Sequence, residues 1–171
     1  CSLEASSREY LESLRAIAPA LNLELEEVQN WNCCGASSAH AMDHILALSL
    51  PAETLAQAEQ QSMKELMVPC AACYGRLAAT KAELAENPTL KQQISERIEM
   101  PYTGSTEILT ILDILDKVLT ADVVKSFPKK FSHRVVCYYG CLLVRPPKIT
   151  KAQRVEDPLM MEELLKRIGA Q

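Results

Sequence analysis

"KELMVPCAACYGRL", residues 64–77, holds a short apolar run, a proline and two cysteines in C-x-x-C spacing. Leu66, Met67 and Val68 suit a buried strand. Pro69 ends it, because proline has no N–H to give to a ladder. From Ala71 to Glu86 the pattern turns helical. The stretch therefore predicts a strand that delivers Cys70 at its carboxyl end, with a helix leaving from the cysteines.

The same order recurs on either side. "LELEEV", residues 23–28, alternates apolar and acidic residues and predicts a strand, followed by "WNCCGASSAH", residues 31–40. "RVVCYYG", residues 134–140, predicts another strand, and Cys141 follows it. Helices are expected over residues 6–18, with a Ser6–Glu9 capping box, and over 38–50, where Pro51 stops or restarts the helix before a second one at 52–62. Strands alternating with helices predict an α/β fold: parallel strands, flanking helices, and cysteine-rich loops at the carboxyl ends of the strands. Residues 87–131 read as a helical insertion, with "STEILTILDILDKVL", 105–119, as one amphipathic helix. A last helix has Asp157 as N-cap, Pro158 in its first turn and Gly169 past its end. Residues 1–131 are thus expected to form a first domain, and 132–171 the start of a second, truncated one.

Composition narrows the function. In 171 residues, 48% are apolar, which is enough for a core. Eighteen basic residues against twenty-two acidic ones leave a net charge of −4, which disfavours a nucleic-acid surface. Lys129–Lys130 reads as a solvated loop. No apolar run reaches the ~18 residues that span a membrane, so a cytoplasmic chain that docks at a membrane through partners is expected. No phosphate loop or dinucleotide fingerprint occurs.

Seven cysteines stand out: Cys1, Cys33, Cys34, Cys70, Cys73, Cys137 and Cys141. Their odd number and the adjacent Cys33–Cys34 pair oppose a secreted disulfide scaffold, since neighbours can bond only through a strained ring. A lone C-x-x-C is compatible with a zinc knuckle or a redox pair. Five thiols on three loops are more specific, because four already complete a zinc site or a cubane cluster.

The spacing C-x31-C-C-G-x34-C-x-x-C, with "WNCCGASSAH", "PCAACYGRL" and "YYGCLLVRPP" around it, resembles the B subunit of heterodisulfide reductase, of the cysteine-rich CCG domain family. Related CCG proteins include thiol:fumarate reductase and the iron–sulfur subunits of lactate and glycolate oxidation. The resemblance implies a noncubane 4Fe–4S cluster on Cys1, Cys33, Cys34, Cys70 and Cys73, with Cys33 and Cys34 addressing different irons. It implies that Gly35 lets the backbone pass close to the cluster and offers an N–H to a sulfur. It also implies reduction of a disulfide, such as coenzyme M–coenzyme B, with Cys33 and Cys34 at the reacting centre; His40 is read beside them from its position just after the pair. Electrons would arrive from flavin- and ferredoxin-type iron–sulfur subunits, since no ferredoxin cysteine run is present here. The alternatives are an electron-transfer CCG subunit of a thiol:fumarate reductase or hydroxyacid oxidase, and a zinc-stabilised interaction module.

Other residues have blander readings. His40 and His44 lie four apart on a helix, but no Glu follows the first as in H-E-x-x-H. His40 is then a zinc ligand, a substrate-facing group or a surface histidine. His133 reads as ordinary and Cys137 as a buried strand residue. Trp31 shields the cysteine pair or simply joins the core. Tyr138 and Tyr139 point to opposite faces, so only one can look inward.

Cys141 has the place in "YYGCLLVRPP" that Cys1 has in a first copy of the motif, and would bind a second cluster. By that interval a second cysteine pair falls near position ~173, in a polypeptide of roughly 280 to 300 residues with a strand before Cys1.

Overall fold

The computed structural model describes residues 7–36, 38–128 and 131–171, and only the backbone of His40. Its element order is α1 (Arg8–Ile17), a 3₁₀ turn (Pro19–Leu21), α2 (Ala39–Met42), α3 (His44–Gln60), β1 (Glu65–Met67), α4 (Ala71–Glu86), α5 (Pro88–Arg97) and β2 (Glu107–Leu109). It continues with α6 (Ile111–Val118), α7 (Ala121–Ser126), α8 (Cys141–Val144), α9 (Pro147–Thr150) and α10 (Met160–Ile168). β1 and β2 pair in parallel, Leu66 opposite Ile108. A parallel pair needs a long crossover, and α4 and α5 supply it. The fold is α/β with flanking helices, as the strand–helix alternation predicts.

Most of the core lies between α3, α4 and α5. Ala52, Leu55, Leu77, Leu84 and Ile94 are buried there, with Val68 closing the end of β1. A smaller cluster joins Leu21, Leu119 and Leu164. α4 runs over the span expected from the sequence, and its first residue follows Cys70 directly.

Several expectations need correction. Pro51 does not break its helix: α3 runs through it to Gln60, with Pro51 buried. A helix-interior proline frees the carbonyl four residues earlier. That carbonyl, Ala47 O, accepts a hydrogen bond from Arg76 Nη2 at 3.5 Å. Residues 105–119 are not one helix. Their first part pairs as β2, and α6 restarts behind a capping box in which Thr110 Oγ1 accepts from the Asp113 N–H and Asp113 Oδ2 accepts from the Thr110 N–H. The stretch 87–131 thereby contributes a strand to the sheet. Finally, residues 23–28 and 134–140 form no strand and stand outside the β1–β2 sheet. In 23–28 only Val28 is buried and the glutamates are exposed, so the alternation reflects a half-wet surface segment.

The last helix starts later than expected, behind Leu159 rather than Asp157, and ends at Gly169 with φ +102°. The Ser6 half of the expected capping box and Lys129–Lys130 lie outside the described residues.

Candidate functional site: a cleft lined by cysteines

Two loops meet at the amino end of α4. One is the turn after β1, which carries Cys70 as N-cap and Cys73 in the first helical turn. The other is the 29–36 loop, which Asn32 fastens to α3. Its Nδ2 donates to Glu53 Oε2 at 2.5 Å, and its Oδ1 accepts from Thr54 Oγ1 at 3.0 Å. The loop turns at Gly35, whose φ is +70°. There an added Cβ would meet Ala39 Cβ at 3.0 Å and Leu50 Cδ1 at 3.1 Å, so the close approach to α2 and α3 needs glycine.

Cys33, Cys34, Cys70 and Cys73 line one cleft of about 770 Å³, walled by apolar side chains including Leu14, Val28 and Leu66. Cys34 Sγ and Cys73 Sγ lie 3.0 Å apart. The Gly35 N–H donates to Cys33 Sγ at 3.4 Å. Among the described residues, no three His, Cys, Asp or Glu side chains close on a single point as a mononuclear metal site would require. The four thiols share a chamber instead. Cys1 lies outside the described residues.

The chamber favours one thiolate. The Cys73 hydrogen bond, helped by the Ala36 N–H and the Arg76 charge, holds Cys34 down at about 6 against the opposing effect of burial. Its partner Cys73 is pushed upward by that same bond, by burial and by Cys70 beside it. Loss of water around Tyr10 raises its hydroxyl, and the nearby Cys70 adds to this. A deprotonated thiol is the form that binds metal and attacks disulfides.

Trp31 lines the cleft and is 37% exposed, with Nε1 donating to Glu27 Oε1 at 2.8 Å. It is a wall of the site, not a core residue. His40 has its backbone in α2, and the role read for its side chain lies outside the described residues. His44 turns to Glu83 Oε1 at 2.8 Å and does not line the cleft. His133 stacks edge-on against Phe131. Cys141 opens α8, is exposed, and is absent from the cleft wall. Cys137 is half-buried beside Glu162 rather than sealed in a strand. Tyr139 turns inward and Tyr138 is 91% exposed.

Arg76 and Asn32 escaped the sequence reading. Arg76 lies three residues after Cys73, hence on the same helix face, and that spacing is the signal that could have found it. Asn32 carried no local signal, because its partners are 21 and 22 residues away.

Residues 1–78 match the family model of the cysteine-rich domain CCG. Nearly all of the residues that line the cysteine cleft fall within the matched stretch. Over 176 residues it is 34% identical to the 8-methylmenaquinol:fumarate reductase membrane anchor subunit of Wolinella succinogenes, covering all of this chain and 60% of that one. Over 155 residues it is 28% identical to the B subunit of the ferredoxin/F(420)H(2)-dependent CoB-CoM heterodisulfide reductase of Methanosarcina acetivorans, covering 88% of this chain and 51% of that one. An Archaeoglobus profundus protein like the heterodisulfide reductase B subunit is 24% identical over 179 residues, 100% of this chain and 60% of that one. The resemblance to the heterodisulfide reductase B subunit is borne out, and these relatives are subunits of reductases or proteins like them. The chain spans about half to three fifths of these curated relatives' length. Among the described residues, no helix is long and apolar enough to cross a membrane.

Proposed function

We propose that this chain is the disulfide-reducing iron–sulfur subunit of a heterodisulfide reductase-like complex, with a noncubane 4Fe–4S cluster on Cys1, Cys33, Cys34, Cys70 and Cys73. The observation that carries the reading is the gathering of four of these thiols in one apolar cleft, with Cys34 and Cys73 3.0 Å apart. The donor set fits: soft thiolates suit iron–sulfur clusters, and the glycine after the pair brings an N–H to sulfur. When bound, such a cluster supplies electrons one at a time and an iron on which a product thiolate can rest.

The chain's own residues divide the remaining work. Asn32 and Gly35 hold the cysteine pair in place. The first turn of α4 and Arg76 favour negative charge on sulfur. Trp31 and the apolar walls flank the thiols and lower the polarity on that side of the cleft. His40, six residues after Cys34, is assigned a substrate-facing role, and Cys141 is assigned to a second cluster held by a second CCG motif begun at 132–171. Partners are flavin- and ferredoxin-type iron–sulfur subunits, and the chain works in the cytoplasm, docked at a membrane through them. The substrate is a small disulfide such as coenzyme M–coenzyme B.

Iron and acid-labile sulfide analysis, with electron paramagnetic resonance of the anaerobically purified polypeptide, tests the cluster. Cys34→Ser is expected to abolish the signal and Cys137→Ser to leave it. Zinc without iron would overturn the reading and leave the interaction module. The 34% identity to the fumarate reductase subunit over the whole chain favours one second reading, an electron-transfer CCG subunit. Dye-driven disulfide reduction by the assembled complex supports the first reading; fumarate or 2-hydroxy acid turnover with no disulfide reduction supports the second.

A further inference from the structure

Arg76 stands one helical turn after Cys73 on α4, so the two share a face of that helix. Ala72, Cys73 and Leu77 line the cleft, but Arg76 does not. Its head turns to α3, where Nη2 donates to Ala47 O at 3.5 Å. The CCG turn packs on the same stretch of α3, with Gly35 close against Leu50, one turn on from Ala47. The guanidinium is thus held behind the cysteines, on the side away from the cleft.

That one long bond leaves most of the group unused. A guanidinium carries five N–H donors and a charge that is always present. Among the described residues, the solvent-sealed Nε has no hydrogen-bond partner. Arg8, Arg15, Arg145, Arg154 and Arg167 each pair with a carboxylate, whereas half-buried Arg76 makes no ion pair among the described residues. Holding a cation partly out of water without an anion costs free energy. A neutral donor would satisfy the carbonyl freed by Pro51 without that cost. The charge therefore has its own use, and the group that feels it is Cys34.

We propose that Arg76 is a positioning residue for electron transfer: its fixed charge, held behind Cys34 by Ala47, eases addition of an electron to a cluster on the cleft thiols. This rests on the iron–sulfur reading given above. A cluster held by thiolates carries negative charge, and a further electron is opposed by it. A cation close by in a partly buried setting offsets that repulsion. Net charge and burial are among the factors that set iron–sulfur potentials. Arg76 acts through sulfur and leaves the cleft free for substrate. Pro51 contributes to the placement, because a helix-interior proline frees the carbonyl that tethers the guanidinium.

Redox titration of the anaerobically purified full polypeptide, followed by electron paramagnetic resonance, is the test. Iron content and thermal midpoint are recorded for each variant. Arg76→Met keeps the apolar stem without the charge. It is expected to shift the cluster at a fixed potential tenfold or more towards its oxidised form, a fall in midpoint potential of about 59 mV or more for one electron. Arg76→Gln, which can still donate to Ala47 O, is expected to shift in the same direction with a smaller loss of thermal stability. Arg76→Lys keeps the charge and is expected to restore most of the potential. Loss of iron in Arg76→Met and Arg76→Gln but not in Arg76→Lys would also support the need for the charge. Iron-loaded Arg76→Met or Arg76→Gln with an unmoved potential would overturn the proposal and leave Arg76 as a tie between helices. An equal fall in Arg76→Lys would overturn it too, since charge would not be the cause. Wild-type polypeptide without iron and sulfide would overturn the function proposed above and this inference with it; iron with an unmoved potential overturns this inference alone.

Discussion

At Gly35 the backbone adopts φ +70°, and an added Cβ would lie 3.0 Å from Ala39 Cβ. Gly35→Ala therefore combines backbone strain with overpacking. It is expected to lower stability by about 1–3 kcal/mol, read as a fall in thermal midpoint of roughly 2–4 °C per kcal/mol. Gly75 is the control. It lies inside α4 with nothing within 4 Å of an added Cβ, so Gly75→Ala is expected to gain about 0.5–1 kcal/mol in the same measurement. If both variants lose stability alike, the geometry drawn for the CCG turn is wrong. Gly35 and its cysteines were legible because their spacing is local. The Asn32 clamp was not, since Glu53 and Thr54 reach it only after α3 has packed. Asn32→Ala strips the clamp and is expected to cost about 1–3 kcal/mol in denaturant unfolding.

Between elements, carboxylates and caps set the joints. Glu59, near the end of α3, accepts the N–H groups of Thr103, Gly104 and Ser105 at 2.7, 2.6 and 2.7 Å and so anchors the approach to β2. Burial alone would raise its carboxyl, but these bonds outweigh it and hold the group below its ordinary value. A depressed carboxyl stabilises above the unfolded value, about 4.3, and the contribution disappears as pH falls through the folded value. Glu59→Gln removes this dependence. The stability gap between wild type and variant should be constant above about pH 5 and shrink as pH falls below about 4.3, measured by urea unfolding across that range. A gap that widens in acid would contradict the assignment. At α6, Thr110→Val removes the cap that splits 105–119 into strand and helix, at an expected cost of about 1 kcal/mol. The apolar period there resembled one helix because β2 and α6 follow each other without a break in hydrophobicity. The break is made by pairing with β1, which sequence spacing does not reveal.

Across the molecule, the α3–α4–α5 core holds the cleft open from behind. Leu84 is fully buried there, and Leu84→Ala is expected to cost about 2–5 kcal/mol, enough to lower the thermal midpoint clearly. If iron binding falls by the same factor in this variant as in Cys34→Ser, the metal is not held by the thiols but follows folding. The strand at 65–67, the helix after Cys70 and the cysteine-bearing loops were readable from the chain, because turn residues, caps and apolar periods act over a few neighbours. Helix α3 running through Pro51 was not, because the proline's lost bond is offset by Arg76, from a different helix. The meeting of Cys34 with Cys73, 39 residues apart, was expected only through the family resemblance and carried no local signal. The sequence alone determined which thiols this protein offers and on which turns. Only the tertiary structure decided which of them share one chamber, because that depends on how α3 and α4 pack, and packing is a property of side chains far apart in the chain.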